Sequence, residues 1–508
     1  MVSFLILLFF IATAGVQVES LPIYFPRAHR QDLPDVLLSL AKEETRHSRH
    51  SNITTYTTHF FQQTLDHFNY RPESYLLFNQ KYLMNREFWD NDPHHPTGPI
   101  FVYTGNEGDI GWFADNTGFL PDIAPRFRAL LVFIEHRFYG DSLPFGNKSL
   151  GKAETLGYLN SEQALADYAT LITSLKRNLS AEASPVVVFG GSYGGMLSAW
   201  FRLKYPHIVI GALASSAPIL QFDNITPSSS FYYGVSKDFK DESLNCFDVI
   251  RECWDELMAM EDPKGLRKLS RAIKSCSPLE SVDSTRNWLD QAFVYTAMVD
   301  YPTAANFMTP LPAYPVKEMC RIIDSSPSKT SKLEKAIAAA SLYYNYTNSK
   351  KCFDLTGNND PHGLNLWQWQ TCTEMVMPMS ISNDSMFPRY TYDYNEYQDE
   401  CFRNYKIQPR PHWITTNYGG HKIDKVLKRF GSNIIFSNGM RDPWSRGGVL
   451  RNISDSIVAI VTEQGAHHVD FRYATRKDPD WLVEQRRREM EILQKWIDQY
   501  YIDIKSEY

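Results

Sequence analysis

Short runs of apolar and β-branched residues, each bounded by Gly, Pro or Asn, recur at Ile100–Thr104, Leu130–Glu135, Val186–Gly190, Val209–Ala214, Ile434–Asn438 and Ile457–Thr462. Uninterrupted apolar runs suit parallel strands covered on both faces, whereas a half-solvated strand alternates. Helical periodicity separates most of them. Over Ser161–Asn178, residues Ala164, Leu165, Tyr168, Leu171, Ile172 and Leu175 share one face, and Asn160 with Gln163 supplies an N-cap and a capping-box partner. Gly194–Lys204 and Trp481–Tyr501 read as further helices, the second amphipathic. Its Arg486, Arg487 and Arg488 read as a solvated face rather than a binding patch. Strands alternating with helices predict an α/β fold.

One gap is out of scale. The segment between Ala214 and Ile434 far exceeds a crossover connection. It reads as mostly helical, for example over Ser331–Tyr344, and it holds all 7 cysteines. The strand pattern resumes after it, so a helical cap inserted between two sheet strands fits better than a separate downstream domain. The expected organisation is a signal peptide (1–20), an N-terminal arm or pro-segment (21–54), a first sheet part (55–220), the cap (221–415) and a second sheet part (416–508).

Composition narrows the class. The chain has 508 residues with 52 basic against 58 acidic, a net charge of −6, which excludes a nucleic-acid binder working by bulk charge. The apolar run from Phe4, ending in small residues at Ala14 and Gly15, reads as a secretory leader, although no Lys or Arg precedes it. No later stretch is long enough for a membrane anchor. Asn-x-Ser/Thr sequons at Asn52, Asn147, Asn178, Asn224, Asn345, Asn383 and Asn452 agree with the secretory pathway, leading to a lysosome, a vacuole or the exterior. The cysteines show no metal-ligand spacing; three disulfides and one free thiol is the simplest arithmetic in an oxidising lumen. No metal or cofactor is expected, and a homodimer is left open.

The chemistry lies at strand ends. Gly190-Gly191-Ser192-Tyr193-Gly194 is G-x-S-x-G after a buried strand and before a helix, the setting of a nucleophile elbow. A glycine-rich structural turn is the alternative; a phosphate loop is not, since no Lys-Ser/Thr follows. A serine hydroxyl needs a base, and the imidazole needs an acid to fix its tautomer. Asp442 follows Ile434–Asn438, and His467-His468 follows Ile457–Thr462, so Ser192, Asp442 and His467 each sit beyond the carboxyl end of an expected parallel strand. Alone, Asp442 reads at least as well as a turn aspartate before Pro443; a metal-ligand reading of the histidine pair is weakened because no carboxylate cluster accompanies it. Oxyanion donors are sought at Tyr193 and in the loop Gly105-Asn106-Glu107. Glu107 either binds a substrate amine or caps the next helix.

Five segments together resemble a known family: Tyr103–Asp109 (YTGNEGD), Glu135–Gly140 (EHRFYG), Ser161–Tyr168 (SEQALADY), Gly190–Met196 (GGSYGGM) and Ser437–Trp444 (SNGMRDPW). They are similar to the serine peptidases that include lysosomal Pro-Xaa carboxypeptidase and dipeptidyl peptidase II, over about Phe61 to Trp496. The resemblance implies an α/β-hydrolase sheet with a helical cap, a triad of Ser192, Asp442 and His467, and a proline pocket drawing on Met196, Met377 and Trp444. It implies the pairs Cys246–Cys320, Cys276–Cys352 and Cys372–Cys401 with Cys253 unpaired. Thr373–Pro378 is closer to the carboxypeptidase branch, although that branch has a further cysteine where Met379-Ser380 stand here. The expected activity is release of a C-terminal residue after a penultimate proline from peptide substrates. The runner-up is release of an N-terminal dipeptide ending in Pro or Ala; more distant are a lipase or esterase and a non-catalytic hydrolase-fold binding module.

Overall fold

The computed structural model describes residues 55–91, 98–149, 152–355 and 366–506; the expected leader, the 21–54 arm and the Asn52 sequon lie outside them. At its centre is an eight-stranded sheet. Its strands, β1 to β8 in chain order, are Thr57–Thr64, Leu77–Asn85, Ile100–Thr104, Leu130–Ile134, Val186–Gly191, Gly211–Ser215, Ile434–Gly439 and Ile457–Thr462. Their spatial order is β1-β2-β4-β3-β5-β6-β7-β8. β2 pairs antiparallel with β1 and β4, and every other pairing is parallel.

All six apolar runs form strands. The fourth begins at Gly211 rather than Val209, because the Val209 amide closes a turn onto Tyr205 O. A search for apolar runs does not find β1 and β2: Thr57–Thr64 lies at the sheet edge, with exposure alternating along a largely polar sequence. One sheet face is covered by the helices Ser161–Asn178 and Tyr193–Lys204, with Leu165, Tyr168, Ile172 and Leu197 packed on Val102, Val132 and Val188. The other carries Phe119–Phe127 and the C-terminal helix Asp480–Ser506.

Two local expectations need correction. Asn160 caps its helix by accepting from Gln163 N at 2.9 Å, but the reciprocal capping-box bond is absent. The Gln163 side chain instead donates to Asp66 Oδ1 at 2.7 Å and accepts from His67 N at 3.0 Å. In the C-terminal helix Arg487 and Arg488 are exposed, but Arg486 is buried. Its guanidinium donates to the carbonyls of Val469, Asp470 and Arg472 and to Asp478, clamping the loop that follows His468.

Between β6 and β7 the chain builds the cap from helices that include Ser230–Glu242, Leu244–Met258, Asp283–Met298, Pro315–Asp324 and Lys332–Asn345. The last begins with a full capping box between Ser331 and Glu334. Phe239, Ile250, Leu289, Ile323 and Ala336 in the cap belong to one continuous apolar cluster with Phe101, Phe189 and Leu213 of the sheet. Disulfides join Cys246–Cys320, Cys276–Cys352 and Cys372–Cys401, and Cys253 is free and buried. With sequence separations of 74, 76 and 29, each bridge contributes about 3.5–4.5 kcal/mol by chain entropy. The sequon residues Asn147, Asn178, Asn224, Asn383 and Asn452 are exposed, whereas Asn345 is half-buried with its amide bonded to the backbone of Lys350. Among the described residues no helix is long and apolar enough to cross a membrane.

The motif Glu135-His136-Arg137 is a buried polar hub. Arg137 binds Asp167 through Nε–Oδ2 at 2.7 Å and Nη2–Oδ1 at 2.6 Å, and also donates to Leu65 O and Thr64 O. Neither side chain is exposed to solvent. Glu135 accepts from Ile110 N, Asp141 N and Ser142 Oγ. Asp167→Ala leaves a guanidinium buried without its counter-ion, and is expected to lower stability by about 3–5 kcal/mol. A urea midpoint shift at constant slope measures this; an unchanged midpoint would show that the pair carries no net stabilisation.

Candidate active site

β5 ends in a turn that only small residues can form. A Cβ on Gly190 would lie 2.1 Å from Gly194 O, and one on Gly194 would lie 2.7 Å from Thr104 O. Between them Ser192 has φ 58° and ψ −127°, a conformation that costs about 1–3 kcal/mol and persists only where its surroundings enforce it. The enforcing bonds are Ser192 N to Ser215 O at 3.0 Å and Met196 N to Ser192 O at 3.0 Å, which opens the helix Tyr193–Lys204.

Asp442 lies beyond β7 and heads the short turn Pro443–Gly447. Its carboxylate serves both expected readings: Oδ1 accepts from Trp444 N at 3.0 Å, while Oδ2 sits 2.7 Å from His467 Nδ1. Asp442 is fully buried and His467 is 2% exposed. The loop carrying His467 rests on the elbow, since His468 N donates to Ser216 Oγ at 2.8 Å and a Cβ on Gly191 would meet the His468 ring at 2.9 Å. The Ser192 hydroxyl makes no hydrogen bond among the described residues. Nucleophile–base contacts in free hydrolases tighten when substrate binds.

The Tyr193 amide begins the helix beside Ser192. Its side chain is fixed from behind, its hydroxyl 2.9 Å from Gln370 Nε2 and 3.1 Å from His136 Nε2. In the loop after β3, Gly105 is removed as an oxyanion donor: its N–H donates to Ile134 O at 2.9 Å, and its carbonyl accepts from Tyr168 at 2.6 Å. The Asn106 side chain lies 3.0 Å from where a Gly194 Cβ would stand, so this residue faces the elbow. Glu107 does not cap the following helix; Asp109 does, accepting from Trp112 N at 3.1 Å. Glu107 is buried with Oε2 unpartnered among the described residues, and burial raises its carboxyl to about 7, partly offset by its own amide, Asn106 and the His467 charge.

Of the expected pocket residues, Met196 is buried in the helix–sheet core and Met377 is half-buried where both apolar clusters meet. Trp444 is buried with its ring 4.6 Å from Phe231 of the cap, and its indole Nε1 has no hydrogen-bond partner among the described residues. Residue spacing alone does not reveal several further contributors. Glu374 of the cap accepts from Ser161 N at 2.7 Å and Ser161 Oγ at 2.9 Å, at the start of the helix that bears Tyr168. Arg472 places its guanidinium 4.5 Å from the centre of the Phe307 ring, which itself lies 5.2 Å from the His468 ring.

The comparisons with known proteins identify the family. The family description of serine carboxypeptidase S28 matches residues 63–489. This chain is a member of the S28 serine carboxypeptidase family. The S28 chain is 43% identical to the lysosomal Pro-X carboxypeptidase of Homo sapiens over 453 residues, covering 88% of this chain and 89% of that protein. The Bos taurus protein of the same name is 43% identical over 467 residues, covering 90% and 91%. The thymus-specific serine protease of Mus musculus is 27% identical over 470 residues, covering 86% and 87%. Among solved structures, a proline iminopeptidase from Mycobacterium smegmatis aligns at 11% identity and TM-score 0.35, covering 84% of this chain and 97% of that one.

Beneath the site of this S28 peptidase lies a buried acid pair. Asp470 Oδ1 accepts from Ser215 Oγ at 2.6 Å, Glu489 Oε1 accepts from Ser437 Oγ at 2.8 Å, and the second oxygen of each is unpartnered among the described residues. Burial raises both carboxyls, and the Asp470 charge adds to the effect on Glu489, against the opposing Arg486. A carboxyl raised in the folded state contributes stability at acid pH and loses that contribution as pH climbs through its folded value. The buried His136 and His468, both depressed mainly by desolvation, act oppositely as pH falls below the ordinary histidine range. Glu489→Gln is therefore expected to melt with the wild type at pH 5 and above it at pH 8. A melting difference that does not change with pH would mean that Glu489 is ionised in the folded protein.

Proposed function

We propose that this S28 peptidase releases the C-terminal residue after a penultimate proline by way of an acyl-enzyme. The observation that carries the reading is the 2.7 Å pair of His467 Nδ1 and Asp442 Oδ2, set beside the strained Ser192 under a helical cap. Ser192 Oγ attacks the prolyl carbonyl carbon while His467 Nε2 takes its proton, and Asp442 stabilises the resulting imidazolium. The amides of Tyr193 and Asn106 receive the developing oxyanion. Collapse breaks the C–N bond, His467 gives its proton to the departing amine, and a free amino acid leaves. Water, deprotonated by His467, then attacks the acyl-enzyme and restores Ser192.

Met377 and Trp444 offer a flat, deformable apolar surface to the pyrrolidine ring, which loses little entropy on binding. The Arg472 guanidinium, with its Nε unpartnered near His468, supports recognition of a terminal carboxylate. Glu107 is the observation favouring the second reading, an N-terminal dipeptidase, because an acid suits a substrate amine. The lysosomal relatives support a place in the secretory pathway, with delivery to a lysosome.

Blocked peptides separate the readings. N-terminal acetylation of a Pro-Xaa peptide is expected to leave cleavage intact, while C-terminal amidation impairs it; the opposite pattern selects the dipeptidase. Ser192→Ala is expected to lower turnover roughly a millionfold with folding intact, and His467→Ala similarly, since the members act as a unit. If His468→Ala abolished turnover while His467→Ala kept it, the base would be His468. Rapid internal cleavage of a doubly blocked peptide would exclude an exopeptidase.

A further inference from the structure

One turn of the cap bonds directly to the backbone of His467. The helix Asp283–Met298 is followed by Val299, Asp300 and Tyr301, all buried. Met298 O accepts from His467 N at 2.9 Å, and the Tyr301 hydroxyl donates to His467 O at 2.9 Å. Peptide units on both sides of the base are thus held by the cap. Asp300 pairs through Oδ2 with the Arg441 guanidinium, and its Oδ1 accepts from Val316 N at 3.1 Å. Arg441 directly precedes Asp442, and its amide donates to Gly465 O at 2.9 Å, tying the aspartate loop to the histidine loop.

We propose that the Asp300-Tyr301 turn is a positioning element for catalysis: Tyr301 sets the base, and Asp300 holds Arg441 away from the carboxylate that orients that base. The inference rests on the triad reading above. A half-buried guanidinium seeks a carboxylate, and a carboxylate shared between Arg441 and His467 would orient the imidazole poorly. The other charged groups facing Arg441 are weaker partners. Glu242 Oε2 is 4.0 Å away, and Asp238 is pushed towards its neutral form by burial and by the Asp300 charge, against the pull of Arg441, Arg446 and Lys237. Around His467 itself stand Asp442, Glu107 and His468, with Arg472 beyond, over Tyr301.

The test uses the full-length enzyme and an N-acetylated Pro-Xaa peptide, with rates expressed per serine labelled to completion by a fluorophosphonate. Tyr301→Phe keeps the ring and removes one hydrogen bond, so kcat is expected to fall roughly tenfold with KM unchanged. Asp300→Asn is expected to lower kcat on the order of 10–100-fold. It should also move the acid limb of kcat/KM to lower pH, as Arg441 draws Asp442 from the imidazole. Adding Arg441→Met to Asp300→Asn is expected to restore most of both. The proposal is overturned if these variants lower only the melting temperature, if KM rises at constant kcat, or if the double variant is no better than Asp300→Asn. Should Asp300→Asn yield no labelled protein, the kcat and KM of Tyr301→Phe decide alone. Failure of the triad reading is distinct: Ser192→Ala would then keep its turnover.

Discussion

The close backbone crossing at the elbow sets the distances on which the other active-site groups depend. Thr104, the last residue of β3, donates or shares hydrogen bonds with Gly194 O at 2.8 Å, Phe189 O at 3.2 Å and Ser198 Oγ at 2.7 Å. That one hydroxyl joins the end of β3 to the start of the nucleophile helix, and the absence of a side chain at Gly194 permits the approach. The loop bearing Asn106 and Glu107 therefore leaves β3 at a fixed distance from Ser192. Preorganisation of this kind means that donors need not move as charge develops.

Buried polar groups maintain that geometry, and most are satisfied in ways that tie distant segments together. Glu374 links the cap to the start of the helix Ser161–Asn178, the Arg137–Asp167 pair ties the segments after β1 and β4 to the same helix, and Arg486 holds the loop after His468. Each charge is expensive to bury and more expensive to strand, so such links fix one arrangement of the loops more than they add net stability. Acid pH suits the unpartnered carboxyls and disfavours the buried histidines, so the protein's stability curve is a balance between two sets of groups.

The parallel strands and the elbow were legible because burial on both faces demands apolar runs and a sharp strand-to-helix turn demands small residues. β1 escaped because an edge strand with alternating exposure satisfies its backbone without such a run. Of the two roles open to Glu107, capping the next helix is taken by Asp109, two residues nearer that helix. Arg486 looked solvated because its neighbours Arg487 and Arg488 are. Which amide of the loop Gly105-Asn106-Glu107 is free is not readable locally, because the partner of the Gly105 amide, Ile134, comes from the adjacent strand. No local pattern marks Tyr301 or Asp300, whose partners His467 and Arg441 lie 166 and 141 positions away. Long-range partners become visible only when topology brings the segments together.

The insertion of the cap between β6 and β7 also governs the order in which the molecule can assemble. β6 pairs with β7 through Ala212 and Ile434, on opposite sides of the whole cap. During synthesis the strands up to β6 emerge first, leaving that strand's far edge open and apolar until the cap has been made. An open edge of this kind invites pairing with other chains, and contacts so distant in sequence form slowly. The cap shares one apolar cluster with the sheet, so it has no finished surface to fold against until β7 and β8 arrive. Asp442 and His467 are supplied only with those last strands, so a growing chain carries the serine for most of its synthesis without the groups that would make it a nucleophile.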